Sequence, residues 1–135
     1  MKIFLDTNVV IDLLAKRTNF YQDAIILFDS RQSIFVSTIT ILDTLYILEN
    51  QYKIKDARKI LNILISKLSI LPTFENNIKT AFNSDFSDIE DAVQHFTALE
   101  QGNIDYIITR DTKGFSKSKI PVLTPYQFIK KHLKK

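Results

Sequence analysis

Short runs of apolar and β-branched residues recur at 2–5, 34–37, 106–109 and 120–123, and amphipathic stretches of helical length separate them. Strand-length runs alternating with a 3.6-residue period predict an α/β fold, because parallel strands need a helical crossover between them. Helices are expected at about 8–15, 19–31, 39–52, 55–68, 75–83, 88–101 and 125–134. A weaker run at Ser69 to Pro72 offers another strand, so the parallel sheet should have four to five. Gly102-Asn103 ends one helix, and Pro125 suits the first turn of the last. Between Asp56 and Leu68, Ala57, Ile60, Leu61, Leu64 and Leu68 share a face, which Ile63 and Ile65 widen. The apolar arc reaches roughly 200°, against about 100° for an ordinary surface helix. Such a helix is either sandwiched within the monomer or covered by a second copy or partner.

At 135 residues, without repeat or linker, the chain reads as one domain over residues 1–135. Its 45% hydrophobic content, with two Gly and three Pro, excludes disordered and collagen-like classes. The absence of Cys removes disulfide frameworks, thiolate zinc sites, iron–sulfur clusters and thiol nucleophiles, and agrees with a reducing, cytoplasmic compartment. Asp6 interrupts the apolar run that a signal peptide needs, and no stretch of 18 apolar residues occurs, so neither secretion nor membrane spanning is expected. The acids are unbalanced, 11 Asp against 4 Glu, in a chain that reads as largely helical. Glu is the better helix former, which points to chemical work for some of the Asp.

Four acids are candidates. Asp6 closes the first strand and should stand at the carboxyl edge of the sheet, where ligands bind in open parallel folds. Asp43 has apolar or Thr neighbours in a helix that starts from the same edge, and burying it unpaired would cost several kcal/mol. Asp88-Ile89-Glu90-Asp91 opens the helix leading into the 106–109 strand, with Asp88 and Asp91 on one face. Asp111 leaves that strand at its carboxyl end. Each also suits a bland role: Asp6, Asn8 or Asp88 as a helix cap, Asp43 on a solvated stripe with Thr40 and Asn50, Asp111 in a turn. Their convergence on one rim changes the balance, since clustered carboxylates repel unless protonated or neutralised by a divalent ion.

Hard oxygen donors without Cys or a His pair select magnesium or manganese, Mg²⁺ or Mn²⁺, over zinc, and such ions serve phosphoryl chemistry. Arg110, Lys113, Lys117 and Lys119 follow the same strand end and are candidates to hold a polyanion. A pI near 9.1 beside an acidic rim fits a nuclease. Phe115, between Lys113 and Lys117, is a candidate to stack on a base. Lys130, Lys131, Lys134 and Lys135 read as a helix C-terminus complementing its dipole. His95 and His132 read as structural or surface groups.

The motifs Ile3-Phe4-Leu5-Asp6-Thr7-Asn8-Val9, Val36-Ser37-Thr38-Ile39-Thr40 leading into Asp43, Asp88-Ile89-Glu90-Asp91-Ala92, and Ile108-Thr109-Arg110-Asp111 with Lys113 and Phe115 resemble the PIN-domain ribonucleases, especially VapC-like toxins of toxin–antitoxin pairs. Their order covers nearly the whole chain. The resemblance implies a three-layer α/β/α fold with Asp6, Asp43, Asp91 and Asp111 as the catalytic, metal-binding set. Thr7, Asn8 and Thr109 would orient carboxylates or water, and Arg110, Lys113 and Lys117 would bind substrate. It also implies Mg²⁺- or Mn²⁺-dependent RNA hydrolysis leaving a 5′-phosphate and a 3′-hydroxyl, by a homodimer silenced by a small antitoxin. The family usually has Glu where this chain has Asp43, so the second ligand falls to a shorter side chain, or to Asp88 or Glu90.

Two other classes remain open. A phosphatase of the haloacid dehalogenase type would use Asp6 as nucleophile, but wants a second Asp where Asn8 stands. A non-catalytic binding module would use the acids as caps and the 55–68 helix for docking.

Overall fold

The computed structural model describes residues 1–133. Five parallel strands, β1 (Lys2–Leu5), β2 (Ser33–Ser37), β3 (Ser69–Leu71), β4 (Tyr106–Ile108) and β5 (Val122–Leu123), form one sheet in the order β3-β2-β1-β4-β5. The helices are α1 (Thr7–Leu14), α2 (Tyr21–Asp29), α3 (Thr38–Asn50), α4 (Ala57–Ile65), α5 (Glu75–Phe82), α6 (Ile89–Gln101) and α7 (Pro125–Phe128), which continues as a widened π-type turn over Ile129–Leu133. Lys134 and Lys135 lie outside the described residues. Among those described, no helix is long and apolar enough to cross a membrane.

Strand alternation sends neighbouring residues into opposite cores. Ile3, Leu5, Ile34, Val36 and Ile108 pack with Val9 and Val10 of α1, Leu27 of α2, Leu61 and Leu64 of α4 and Phe128 of α7. Phe4, Phe35 and Ile107 pack on the other face with Leu71, Ala98 of α6, Ile104, Phe115 and Ile120. Covering both faces is what a parallel sheet requires, and the result is a three-layer α/β/α sandwich.

The expected elements all form, most with shorter ends, while α1, α3 and β2 each begin one residue earlier than expected. The last strand loses Ile120, which is buried in the core just ahead of β5. Helix α4 buries Ala57, Leu61 and Leu64 but leaves Ile63 58% exposed, so it is not sandwiched within the monomer. Phe115 is 2% exposed and is a core residue packed edge-on against Phe86, which rules out base stacking. Its side chain fills space under β4 that the neighbouring lysines do not enter.

Candidate active site

The chain leaves β1 at Asp6, β2 at Ser37 and β4 at Thr109, all at the carboxyl edge. Asp6 is the N-cap of α1. Its Oδ1 accepts the Thr7 amide at 2.8 Å, and its Oδ2 accepts the Thr109 hydroxyl at 2.8 Å and the Asn8 amide at 3.3 Å. Burial raises its pKa, against the lowering effect of bonds from Thr109, Thr7 and Gln94; the Asp111 charge adds to the rise. Asn8 is itself fixed, accepting the Arg110 amide at 3.3 Å. The three expected positioning residues thus surround one carboxylate.

A buried polar layer lies beneath. Gln94 of α6 accepts from the Ser37 hydroxyl and donates to Thr40 Oγ1 at 2.6 Å and Thr7 Oγ1 at 3.5 Å. Thr7 and Thr40 hydroxyls meet at 2.9 Å. Ser37 caps α3 and Asp88 caps α6, through the Thr40 and Asp91 amides respectively. The network ties the starts of α1 and α3 to α6, which carries Asp91.

Asp6, Asp91 and Asp111 line one cleft of about 360 Å³ together with Asp88, Glu90 and Arg17. Burial, followed by the charges of Asp6, Asp88 and Asp111, pushes the Asp91 carboxyl up to about 7. The neighbouring Asp43 carboxyl, then burial and the charges of Asp6 and Asp88, push Glu90 up to about 7 as well. Asp43 does not line the cleft and reaches it through Glu90. Asp111 accepts the Gly114 amide at 3.2 Å while its own amide donates to Thr109 at 3.0 Å. Among the described residues, no three acidic or His side chains stand already closed around a metal position.

The basic residues divide. Arg110 does not turn to the acids: its Nε and Nη2 donate to Asp12 at 2.7 and 3.1 Å, and its guanidinium lies 3.9 Å from the Phe20 ring centroid. Lys113 and Lys117 are exposed after β4. His95 is buried, with Nε2 accepting the Lys119 amide at 3.0 Å; burial and the Lys119 charge lower its pKa to about 4. His132 contacts the Tyr106 hydroxyl at 3.1 Å. Sequence reasoning missed Gln94 and Asp12. Asp12 had a signal, as the one charge among Val9, Val10, Ile11, Leu13 and Leu14; Gln94 had none.

A toxin–antitoxin complex from Klebsiella pneumoniae shares 25% identity with a TM-score of 0.69, covering 94% of this chain and 99% of that one. FitAcB from Neisseria gonorrhoeae shares 20% with a TM-score of 0.70, covering 92% and 98%. VapC20 of Mycobacterium tuberculosis, described as a sarcin–ricin loop cleaving toxin, shares 18% with a TM-score of 0.66, covering 78% and 87%. No curated protein sequence matches the chain. The family model of the PIN domain matches residues 2–113, a span that contains every acid of the cleft, and the chain therefore belongs to the PIN-domain family.

Proposed function

We propose that the protein is a metal-dependent endoribonuclease, the toxin of a toxin–antitoxin pair, acting through the acidic cleft. One observation carries the reading: carboxylates from three distant stretches of chain face one cleft, and their mutual repulsion contributes to an Asp91 pKa of about 7. The donor set fits a hard dication. Asp6 is pre-oriented by three hydrogen bonds, and the bare Cα of Gly114 leaves room for the carboxylates of Asp91 and Asp111. Asp6, Asp91 and Asp111 would hold Mg²⁺ or Mn²⁺, with Asp43 assisting through Glu90. When bound, the ion supplies positive charge to the scissile phosphate and makes water a better nucleophile near neutral pH.

The chain's own residues do the rest. Thr7, Asn8 and Thr109 hold the Asp6 lone pairs in fixed directions, and Gln94 keeps α6 in register with them. Lys113 and Lys117 draw the RNA backbone toward the β4 end. Cleavage leaves a 5′-phosphate and a 3′-hydroxyl. The Klebsiella toxin–antitoxin complex supports an antitoxin as partner. Self-association into a homodimer belongs to the same reading, and sedimentation of the purified protein checks it.

The test is cleavage of single-stranded RNA with Mg²⁺ or Mn²⁺ and with excess chelator, by wild type and Asp91→Asn. Loss of cleavage by a factor of about 10³ or more on chelation and in the variant is expected, the scale on which removed electrostatic groups act. Undiminished cleavage in either arm refutes the mechanism, and a trapped aspartyl-phosphate on Asp6 would replace it with a phosphatase.

A further inference from the structure

Beside the acidic cleft stands a ridge of three charged side chains. Asp12, 1% exposed at its side chain, accepts from both guanidinium groups, Arg110 at 2.7 and 3.1 Å and Arg17 at 3.4 Å. Two cations on one carboxylate leave the ridge one positive charge in excess. Each guanidinium carries five N–H groups, of which Arg110 spends two on Asp12 and Arg17 spends one on Asp12 and one on Tyr52. The remainder suits a phosphate crossing the ridge.

Arg17 lines the acidic cleft on one side, and Arg110 lines a second cleft on the other. The second cleft has a volume of about 390 Å³, between the α1–α2 connection and the start of α7. Phe20, stacked on the Arg110 guanidinium, is 39% exposed and Tyr126 is 56% exposed, so two aromatic surfaces flank it. Partly exposed aromatics beside a cationic ridge are the elements by which single-stranded nucleic acid is held. The remaining wall includes Asp23, whose side chain makes no hydrogen bond or ion pair among the described residues.

We propose that this second cleft is a base pocket that takes one unpaired nucleobase, guanine in preference, next to the phosphate that is cut. The proposal deepens the nuclease reading and rests on it for the word "next". Adjacency follows from the chain: Arg110 stands between Thr109, whose hydroxyl holds Asp6, and Asp111, and its amide donates to Asn8. The preference follows from Asp23. An ionised carboxylate only accepts, and both oxygens of Asp12 are already engaged. Guanine presents two donors side by side, N1–H and N2–H₂, whereas adenine and cytosine present one amino group each and uracil one imino group. A matched two-donor contact discriminates by about tenfold or more.

The probes are GMP, AMP, CMP and UMP, titrated without metal into the full chain and followed by amide shifts in nuclear magnetic resonance. GMP should shift Phe20, Asp23 and Tyr126 saturably, at concentrations at least tenfold below those the other three require. Asp23→Asn, which keeps shape but adds a donor, should abolish the preference; Tyr126→Ala should weaken all four alike. Both positions are at the surface, and thermal melts confirm that the variants fold. A second arm measures kcat/KM on short RNAs differing in the base flanking the cut, where Asp23→Asn should lose about tenfold on the guanine substrate alone. Equal responses to all four nucleotides, or a preference that survives Asp23→Asn, overturns the proposal while leaving cleavage intact. Saturable GMP binding at these residues without any RNA cleavage upholds the pocket and removes the nuclease reading instead.

Discussion

A Cβ placed on Gly114 would lie 2.8 Å from Asp111 Oδ2 and deeper still within contact range of Asp91 Oδ2. The glycine is not in the left-handed region, so what it supplies is space. Gly114→Ala should therefore cost little stability, within about 1 kcal/mol, because the obstructing atoms are the ends of side chains. It should weaken Mn²⁺ binding by calorimetry about tenfold or more, because those ends are the proposed ligands. Retained affinity would detach Asp91 and Asp111 from the metal. Asp91 also sets a pH dependence. In the metal-free fold it keeps a proton up to about 7, whereas its ordinary value is 3.8, and Glu90 behaves alike from 4.5. Groups raised on folding stabilise fully below their unfolded pKa, and that contribution is lost as pH rises through the folded value. Melting temperature without metal should fall between about pH 4 and about pH 7, and Asp91→Asn, which cannot ionise, should flatten the fall.

Helix α6 concentrates cap, cleft acid and buried network in seven residues. Asp88 caps it through the Asp91 amide at 2.9 Å and, by charge, raises the pKa of the same residue. Asn caps as well as Asp, so Asp88→Asn should hold or raise metal-free stability at pH 8, while Asp88→Ala loses roughly 1 kcal/mol of capping. Gln94→Ala is the severe change on this helix. It strips the Ser37 and Thr40 hydroxyls of a partner in the interior, and a loss of about 2–3 kcal/mol in denaturant unfolding is expected. The acidic start of α6 was legible because capping and i, i+3 spacing are local. Gln94 was not, since a Gln on an amphipathic helix reads as solvated until a residue 54 positions earlier claims it. Arg110 was legible only in part for the same reason: beside a strand end it reads as a free phosphate contact, whereas Asp12, 98 positions upstream, takes two of its five N–H groups. Phe115 had lysines for neighbours in sequence and Phe86 in space.

The sheet order puts β1 at the centre, flanked by β2 and β4, so the strand ends that carry Asp6, Ser37 and Thr109 are neighbours. That these ends share one edge was legible from alternating strand and helix patterns, since parallel crossovers return the chain to the same edge; the order of the strands was not. The electrostatic cost of the shared edge falls on a chain of net charge +3, whose surplus cations do not relieve a local cluster that raises its own pKa values. A dication would relieve it, and protons compete with the dication for the same oxygens. At pH 8, Mn²⁺ at 100 times its dissociation constant should stabilise the fold by about 2.7 kcal/mol. The gain should shrink as pH falls through about 7 and vanish near pH 4, so the curves with and without metal converge at the acid end. Asp6→Asn should remove the metal response; its side-chain oxygen still accepts from Thr7, while its amide group stands where Oδ2 accepted from Thr109 and Asn8, so relieved repulsion and a lost acceptor oppose one another in the metal-free protein. A wild-type melting temperature indifferent to millimolar Mn²⁺ at pH 8 would mean that the acids serve as caps and turns, and the fold would then carry no metal chemistry at this edge.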